Sequence, residues 1–325
     1  MNLSYANRVV IVEGGSPKDM IFEALENLAG VGQFVKRGDR VFIKPNICGG
    51  VPSKRGTFTS PEVLDGLIKA LKGRTQRIVV GEADSCMYDA DKMFSETDIL
   101  EVVERHGVEF RNLSKEELQE VEVRDGYVFK RVLLPRIVLE SDVVICVPVM
   151  KTHCSTEVSL GMKCMFGILP ERNKARYHPK LEEVILDVVS VVPPTLTVVD
   201  GITGLEGKGP FYGNPVDLNL IIVGDNVVSV DAVTSMVMGF DPIEILHLKM
   251  AEEKGLGEIK LEKINLIGKK IEDVGRTFRR AKQTKIERKL SRISSRFGGF
   301  IIHKFYESAV KNWKKLQRKV KEEPG

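Results

Sequence analysis

The chain reads as an α/β protein built on a mainly parallel, Rossmann-like layered sheet, and three features of its 325 residues carry that reading. Short, β-branched, uncharged runs such as Val143 to Val147 recur along it, and they suit strands buried on both faces of a parallel sheet. Helix starts are legible at Ser16-Pro17, Ser60-Pro61 and Asp241-Pro242, where a capping oxygen precedes a proline at the first helical position. The two element types alternate, which means parallel strands joined by crossover helices.

In chain order, strands are expected at 8–13, 40–44, 77–81, 142–147, 196–199, 218–223 and 263–267. Pro148 cannot donate to a ladder, so it should end the fourth of these and leave the following residues at the carboxyl edge of the sheet. In open α/β sheets that edge is where ligands bind. The stretch 108–136 is less regular, with a hairpin expected around Asp125-Gly126, and a boundary between two lobes is expected near 108–140. Residues 1–275 thus form the α/β body. In 276–325, apolar residues at Ile286, Leu290, Ile293 and Phe297, then at Ile302, Phe305, Ala309, Trp313, Leu316 and Val320, recur in steps of three and four. Such spacing predicts a C-terminal extension of two amphipathic helices, broken at Gly298-Gly299.

Composition sets the class. With 42% hydrophobic and 29% charged residues the chain can bury a sizeable core. No apolar run approaches the roughly 20 residues of a membrane-spanning helix, and the first residues lack the pattern of a secretion signal, so a cytoplasmic location is expected. Five scattered cysteines, Cys48, Cys86, Cys146, Cys154 and Cys164, argue against a disulfide framework and leave free thiols or metal ligands. Charge is segregated: residues 1–275 hold 33 Lys+Arg against 41 Asp+Glu, and 276–325 hold 16 against 4. An acidic body therefore carries a strongly basic tail.

Several polar residues stand just beyond expected strands: Lys44 and Asn46, Glu82 and Asp84, Lys151 and His153, and Asp200. Taken singly, each suits a loop residue or a helix cap; in one sheet they would converge on one crevice. Lys44, ahead of Pro45, is expected to be extended and to aim its amine outward. Glu82 and Asp84 suit acid/base work, cation binding or pairing with lysine. The segment 201–213 holds five glycines around Lys208 and reads equally as a flexible turn or an anion cradle, with neither common phosphate-binding spacing present. His153 and His178 flank Lys163 by ten and fifteen residues, a grouping suited to proton transfer, metal binding or a reactive amine. Cys48, Cys86, Cys154 and Cys164 could furnish thiolates to zinc or an iron–sulfur cluster, although no CxxC pair exists and buried free cysteine is favoured.

The series IKPNICGG, TFTSPEVLDGLIKAL, IVVGEAD, DVVICVPVMKTH, LGMKCMFG, LTVVDGITGLEGKGP and VSVDAVTSMVMGFDP resembles the domain of unknown function 362 family over roughly residues 8–258. Many of those relatives carry an added ferredoxin-like cysteine segment that is not found here, and Cys164 stands where the family usually has asparagine. A more distant resemblance is to the nickel-pincer lactate racemases. It implies that His153 transfers protons, that Lys163 tethers a pyridinium-derived cofactor and that His178 binds nickel. The early Asp-His-Thr-Arg signature of the racemases has no counterpart; Lys44-Pro45-Asn46 occupies the comparable strand end.

The expected function is an enzyme acting on a small anionic molecule, with Lys44, Lys151, Asn46, Asp200 and Lys208 binding substrate. His153, Lys163, Glu82 and Asp84 are the candidate catalytic residues. Isomerisation is its most concrete form and cysteine-based redox chemistry the alternative. A second class of function rests on the tail: segment 282–321 could cover the body, join a homodimer, lie on an anionic membrane or, with weaker grounds, contact nucleic acid.

Overall fold

The computed structural model describes residues 7–47, 55–86 and 88–281. Of the basic tail expected over 276–325, residues 282–325 lie outside the described residues, as does Cys48. In chain order the strands are β1 (Arg8–Glu13), β2 (Val41–Pro45), β3 (Ile78–Glu82), β4 (Glu109–Asn112), β5 (Leu118–Glu122), β6 (Arg131–Pro135), β7 (Val143–Val147), β8 (Val149–His153), β9 (Glu157–Ser159), β10 (Leu196–Glu206), β11 (Asn214–Gly224) and β12 (Asn265–Gly268). The main sheet runs β12-β1-β11-β10-β7-β2-β3-β4, with β8 and β9 branching from β10. Its centre, β10-β7-β2-β3-β4, is parallel throughout, and β1 and β10 each pair antiparallel with β11.

Alternation along the buried strands builds two layers. Val41 and Ile43, with Val143, Ile145 and Val147, face one core, where Met20, Ile21, Leu64 and Leu67 of helices Pro17–Asn27 and Pro61–Lys72 pack. Phe42, Val144 and Cys146 face the other, closed by helices Leu181–Val191, Val227–Val237 and Leu246–Glu253. Each fully buried Leu, Ile or Val contributes about 1.5–3 kcal/mol, so such a sheet forms only with both faces covered.

Four local expectations change. Pro148 does end β7, but β8 starts one residue later, keeps β10 as its parallel neighbour and exchanges β2 for an antiparallel pairing with β9. A central strand cannot carry proline through its ladder, yet a strand that switches neighbours at that residue can. Segment 201–213 is not a loop throughout, because β10 runs on through Glu206 and only the remainder connects to β11. Asp241-Pro242 opens a single 3-10 turn, Pro242–Glu244, and the α-helix begins at Leu246. At Ser60 the hydroxyl donates to Asp200 Oδ2 at 2.6 Å instead of capping its helix. In the irregular stretch, β5 and β6 form the expected hairpin as a separate two-stranded sheet. It is tied to the body by Asp187, which accepts from the backbone of Tyr127, Val128 and Phe129 at 2.8–2.9 Å.

Candidate functional site

The site grows from the carboxyl ends of β2 and β3. Lys44, near the end of β2, is 1% exposed, and its Nζ donates to Glu82 Oε2 at 2.6 Å and to the Pro45 carbonyl at 2.8 Å. The amine expected to point outward therefore lies inside. Residue 44 is fully buried by its neighbours, and a lysine there must find a carboxylate because an unpaired buried charge costs several kcal/mol. Burial pulls the Lys44 pKa down, but Glu82 and the nearby thiols outweigh it and the net shift is upward. Glu82 is fixed in turn by the backbone N–H groups of Ala83 at 3.0 Å and Ile47 at 3.3 Å.

The second wall comes from the chain after β9. A short helix, Gly161–Met165, carries Lys163 and Cys164, and its first two N–H groups donate to Asp231 at 2.8 Å each. A Cβ at residue 161 would come within 2.9 Å of Asp231 Oδ1, which explains glycine at that point of the LGMKCMFG motif. The second glycine of the motif, Gly167, lies against the ion pair: a Cβ there would stand 2.9 Å from Lys44 Nζ and 3.0 Å from Glu82 Oε1. Desolvation raises the Asp231 pKa to about 7 despite its two backbone donors. Lys163 Nζ sits 4.6 Å from the Phe166 ring centroid, a cation–π contact. Beyond it, the 3-10 segment Lys174–Lys180 contributes Lys174 and His178.

Together these walls enclose a cavity of about 390 Å³. Lys44, Lys151, Lys163, Lys174 and Lys208 line it, whereas Glu82 is the one carboxylate among its described lining residues. Asn46, His153 and His178 line it as well. Two expected site residues do not. Asp84 is buried beneath, accepting from Ala90 N and from Asn112 Nδ2. Asp200 accepts from Ser60 N and Oγ and from Ile202 N. Both carboxylates hold backbone in place, and burial raises the pKa of Asp200.

His153, only 8% exposed, has a defined tautomer. Its Nδ1 accepts from Ser155 N at 3.1 Å and Thr156 N at 3.3 Å, so the ring proton of the neutral imidazole belongs on Nε2. Burial, then Lys163, His178 and Lys151, lower its pKa well below the usual value and keep it neutral. His178 remains accessible to solvent at the cavity wall, yet the protein packed around its ring and the charge of Lys163 depress its pKa too. His247, behind the wall, is 0% exposed with neither ring nitrogen hydrogen-bonded, and burial with Lys163 lowers it to about 4.

Sequence reasoning did not single out Lys174 or Asp231. Lys174 is 6% exposed, and its Nζ donates to the Asp84 carbonyl at 2.6 Å. Burial lowers its pKa to about 8. Its only sequence signal was a lysine in a loop, ERNKARYHP, 22 residues before the expected strand at 196–199. Asp231 stands in the family-like VSVDAVTSM run, where an aspartate inside an apolar helix was the available sign. Of the thiols, Cys146 and Cys164 are buried, and Cys86 and Cys154 half-buried. Cys164 Sγ approaches the Pro45 carbonyl at 3.7 Å. Among the described residues no group of three or more His, Cys, Asp or Glu could hold a metal; Cys48, one of the four thiols considered for a cluster, lies outside them. No described helix is long and apolar enough to cross a membrane.

Comparison with known proteins bears on the whole assembly. A thylakoid-associated protein from Synechocystis is 28% identical over 261 residues, which cover 77% of this chain and 78% of that protein. Among solved structures, the lactate racemase apoprotein from Thermoanaerobacterium thermosaccharolyticum aligns over 76% of this chain with 14% identity and a TM-score of 0.42. The alignment spans 56% of the racemase chain. A protein from Thermotoga maritima aligns over 70% of this chain and 61% of its own, with 12% identity and a TM-score of 0.37. Residues 41–236, which contain β2 through the Asp231 helix, match the domain of unknown function DUF362, and the chain belongs to that family.

Proposed function

We propose that this protein is an enzyme acting on a small anionic substrate, bound in the cavity between the β2–β3 strand ends and the 161–178 segment. The observation that carries this reading is the excess of lysine: five line the cavity and a single carboxylate faces them. In a low-dielectric recess such an excess attracts an anion far more strongly than the same charges would at the surface. Of the five, Lys44 is neutralised by Glu82, whereas Lys174 donates to a backbone carbonyl, which leaves its positive charge unbalanced.

The reaction class we favour is proton transfer or isomerisation. His153 presents an Nε2–H, so in its resting state it acts as a hydrogen-bond donor that polarises a substrate oxygen rather than as the base. The mobile proton then falls to an amine, and Lys174, with a pKa of about 8, is matched to exchange one near neutrality. Lys163, on the same wall as Lys174 and over the Phe166 ring, is the candidate nucleophile or tether. The test is binding and turnover with a panel of hydroxy-acids and phosphorylated acids. Lys174→Met should lose turnover with the fold intact; full turnover on a true substrate would remove Lys174 from the mechanism.

A tethered cofactor is a finer form of this reading. Lys163 and His178 line one cavity with His153, a donor set that suits a lysine-bound group needing a single imidazole ligand and not a metal that needs three protein ligands. Such a group would supply an electrophilic centre for hydride or proton movement. Mass analysis of the native protein with nickel determination tests it: an unmodified Lys163 peptide without nickel rules it out.

Location is a separate proposal. The Synechocystis relative is described as thylakoid-associated, and segment 282–321 of this chain is basic and amphipathic in sequence. Peripheral attachment to an anionic membrane follows from both. Co-sedimentation with anionic but not neutral vesicles is the expected result, and equal partitioning would oppose it.

A further inference from the structure

The cavity is graded, and the gradient says more about the substrate than its charge alone. Its interior is built from Lys44, Lys151, Lys174 and His153, all at most 8% exposed. Its outer part is aromatic: Phe211 is half-buried, and Tyr212 is 56% exposed and meets Phe211 edge-on at 6.3 Å. Both rings line the cavity, so together they offer an aromatic face continuous with the polar recess.

The aromatic part is held, not loose. Gly209 packs so closely on β8 that a Cβ there would stand 1.9 Å from the Thr152 carbonyl, and Thr152 Oγ1 donates to the Gly207 carbonyl at 3.1 Å. Tyr212 N donates to the Lys208 carbonyl at 3.0 Å. Thr152 precedes His153 on the same strand, so β8 fixes the aromatic rim and the polar interior to each other.

Size decides between a compact anion and a longer one. About 390 Å³ equals roughly thirteen waters at about 30 Å³ each, within the range of sites that enclose a ligand of drug size. A carboxylate or phosphate head with two or three carbons would engage the lysines and leave the rim untouched.

We infer that the substrate is an amphiphilic anion, its charged head among Lys44, Lys151, Lys174 and His153 and its apolar body against Phe211 and Tyr212. This rests on the anion-binding reading above and adds the second half of the molecule. Specificity would then come from the rim: the lysines accept any anionic head, whereas the aromatic pair rewards chain length. Transfer of a methylene from water is worth about a two- to fourfold gain in affinity, so a six-carbon extension is expected to tighten binding by roughly sixtyfold to a few thousandfold.

The experiment uses the full chain and monitors the His153 imidazole by NMR while titrating acetate, butyrate, hexanoate and octanoate below their micelle concentrations, with 1-octanol as the uncharged control. Affinity should climb about two- to fourfold per methylene, and Phe211→Ser/Tyr212→Ser should flatten that climb while the response to acetate remains. Binding of acetate as tight as that of octanoate would overturn the amphiphile inference and leave the anion reading standing. Octanol bound as well as octanoate, with no response to acetate, would overturn the anion reading itself. A climb that persists in the double variant would place the apolar body elsewhere and also overturn the inference.

Discussion

The two walls of the cavity treat the same side chain in opposite ways. Lys44, at the end of β2, meets a carboxylate at 2.6 Å and its pKa rises; Lys174, on the 3-10 segment, meets only a carbonyl at 2.6 Å and its pKa falls to about 8. Both are nearly inaccessible to solvent. Burial alone therefore does not set the state of a lysine; the charge of its partner does. The strand-end wall is a permanent, internally compensated charge, and the opposite wall is a charge that can change near neutral pH.

The largest effect should come from breaking the compensated wall. Lys44→Met leaves Glu82 buried without its cation and is expected to cost about 3–5 kcal/mol in urea unfolding, whereas Lys44→Met/Glu82→Leu should regain most of that loss. A double variant no more stable than the single one would mean that Glu82 does not need Lys44.

A second comparison uses pH. The Lys174 amine titrates at about 8 in the folded chain against 10.5 for an ordinary lysine, so between those values the unfolded chain binds more protons and stability rises with pH. The gain is about 3 kcal/mol across that window. Stability curves of the wild type and Lys174→Met should converge as pH rises from 8 toward 10.5, and parallel curves would refute the depressed amine.

His247 extends the test to the acid side. Its pKa of about 4 lies below the ordinary 6.5, so the unfolded chain again binds more protons and stability falls as pH drops from 6.5 to about 4. This single ring accounts for about 3 kcal/mol of that fall, and His247→Leu should remove it in acid denaturation curves. The smallest effect is steric. Gly167→Ala pushes a methyl against Lys44 Nζ and should cost about 1–3 kcal/mol without changing the Lys174 titration. A shift in that titration would join the two walls that the comparison separates.

Much of this was legible beforehand. Each of the seven expected strands exists, because β-branched runs without charge have no stable alternative to a doubly covered sheet. Eight of the ten expected site residues line one cavity, since residues just past parallel strands emerge at the same edge. Asp84 and Asp200 share that address but turn to nearby backbone donors, a choice that strand position does not specify. The strands β8 and β9 escaped notice because a proline and a run of polar residues mask a pairing made with distant β10. Lys174 escaped for a related reason: no local pattern says that a loop lysine will be buried against residue 84.

By itself the sequence determined the layered α/β architecture, the family and the set of polar residues carried to one sheet edge, since periodicity, capping and chain order act over a few residues at a time. The tertiary structure alone decided which lysine is paired, which is depressed and which tautomer His153 holds. Those properties depend on burial and on partners tens of residues away, such as Lys44 with Glu82 and Lys174 with Asp84, and only packing brings such groups within 3 Å.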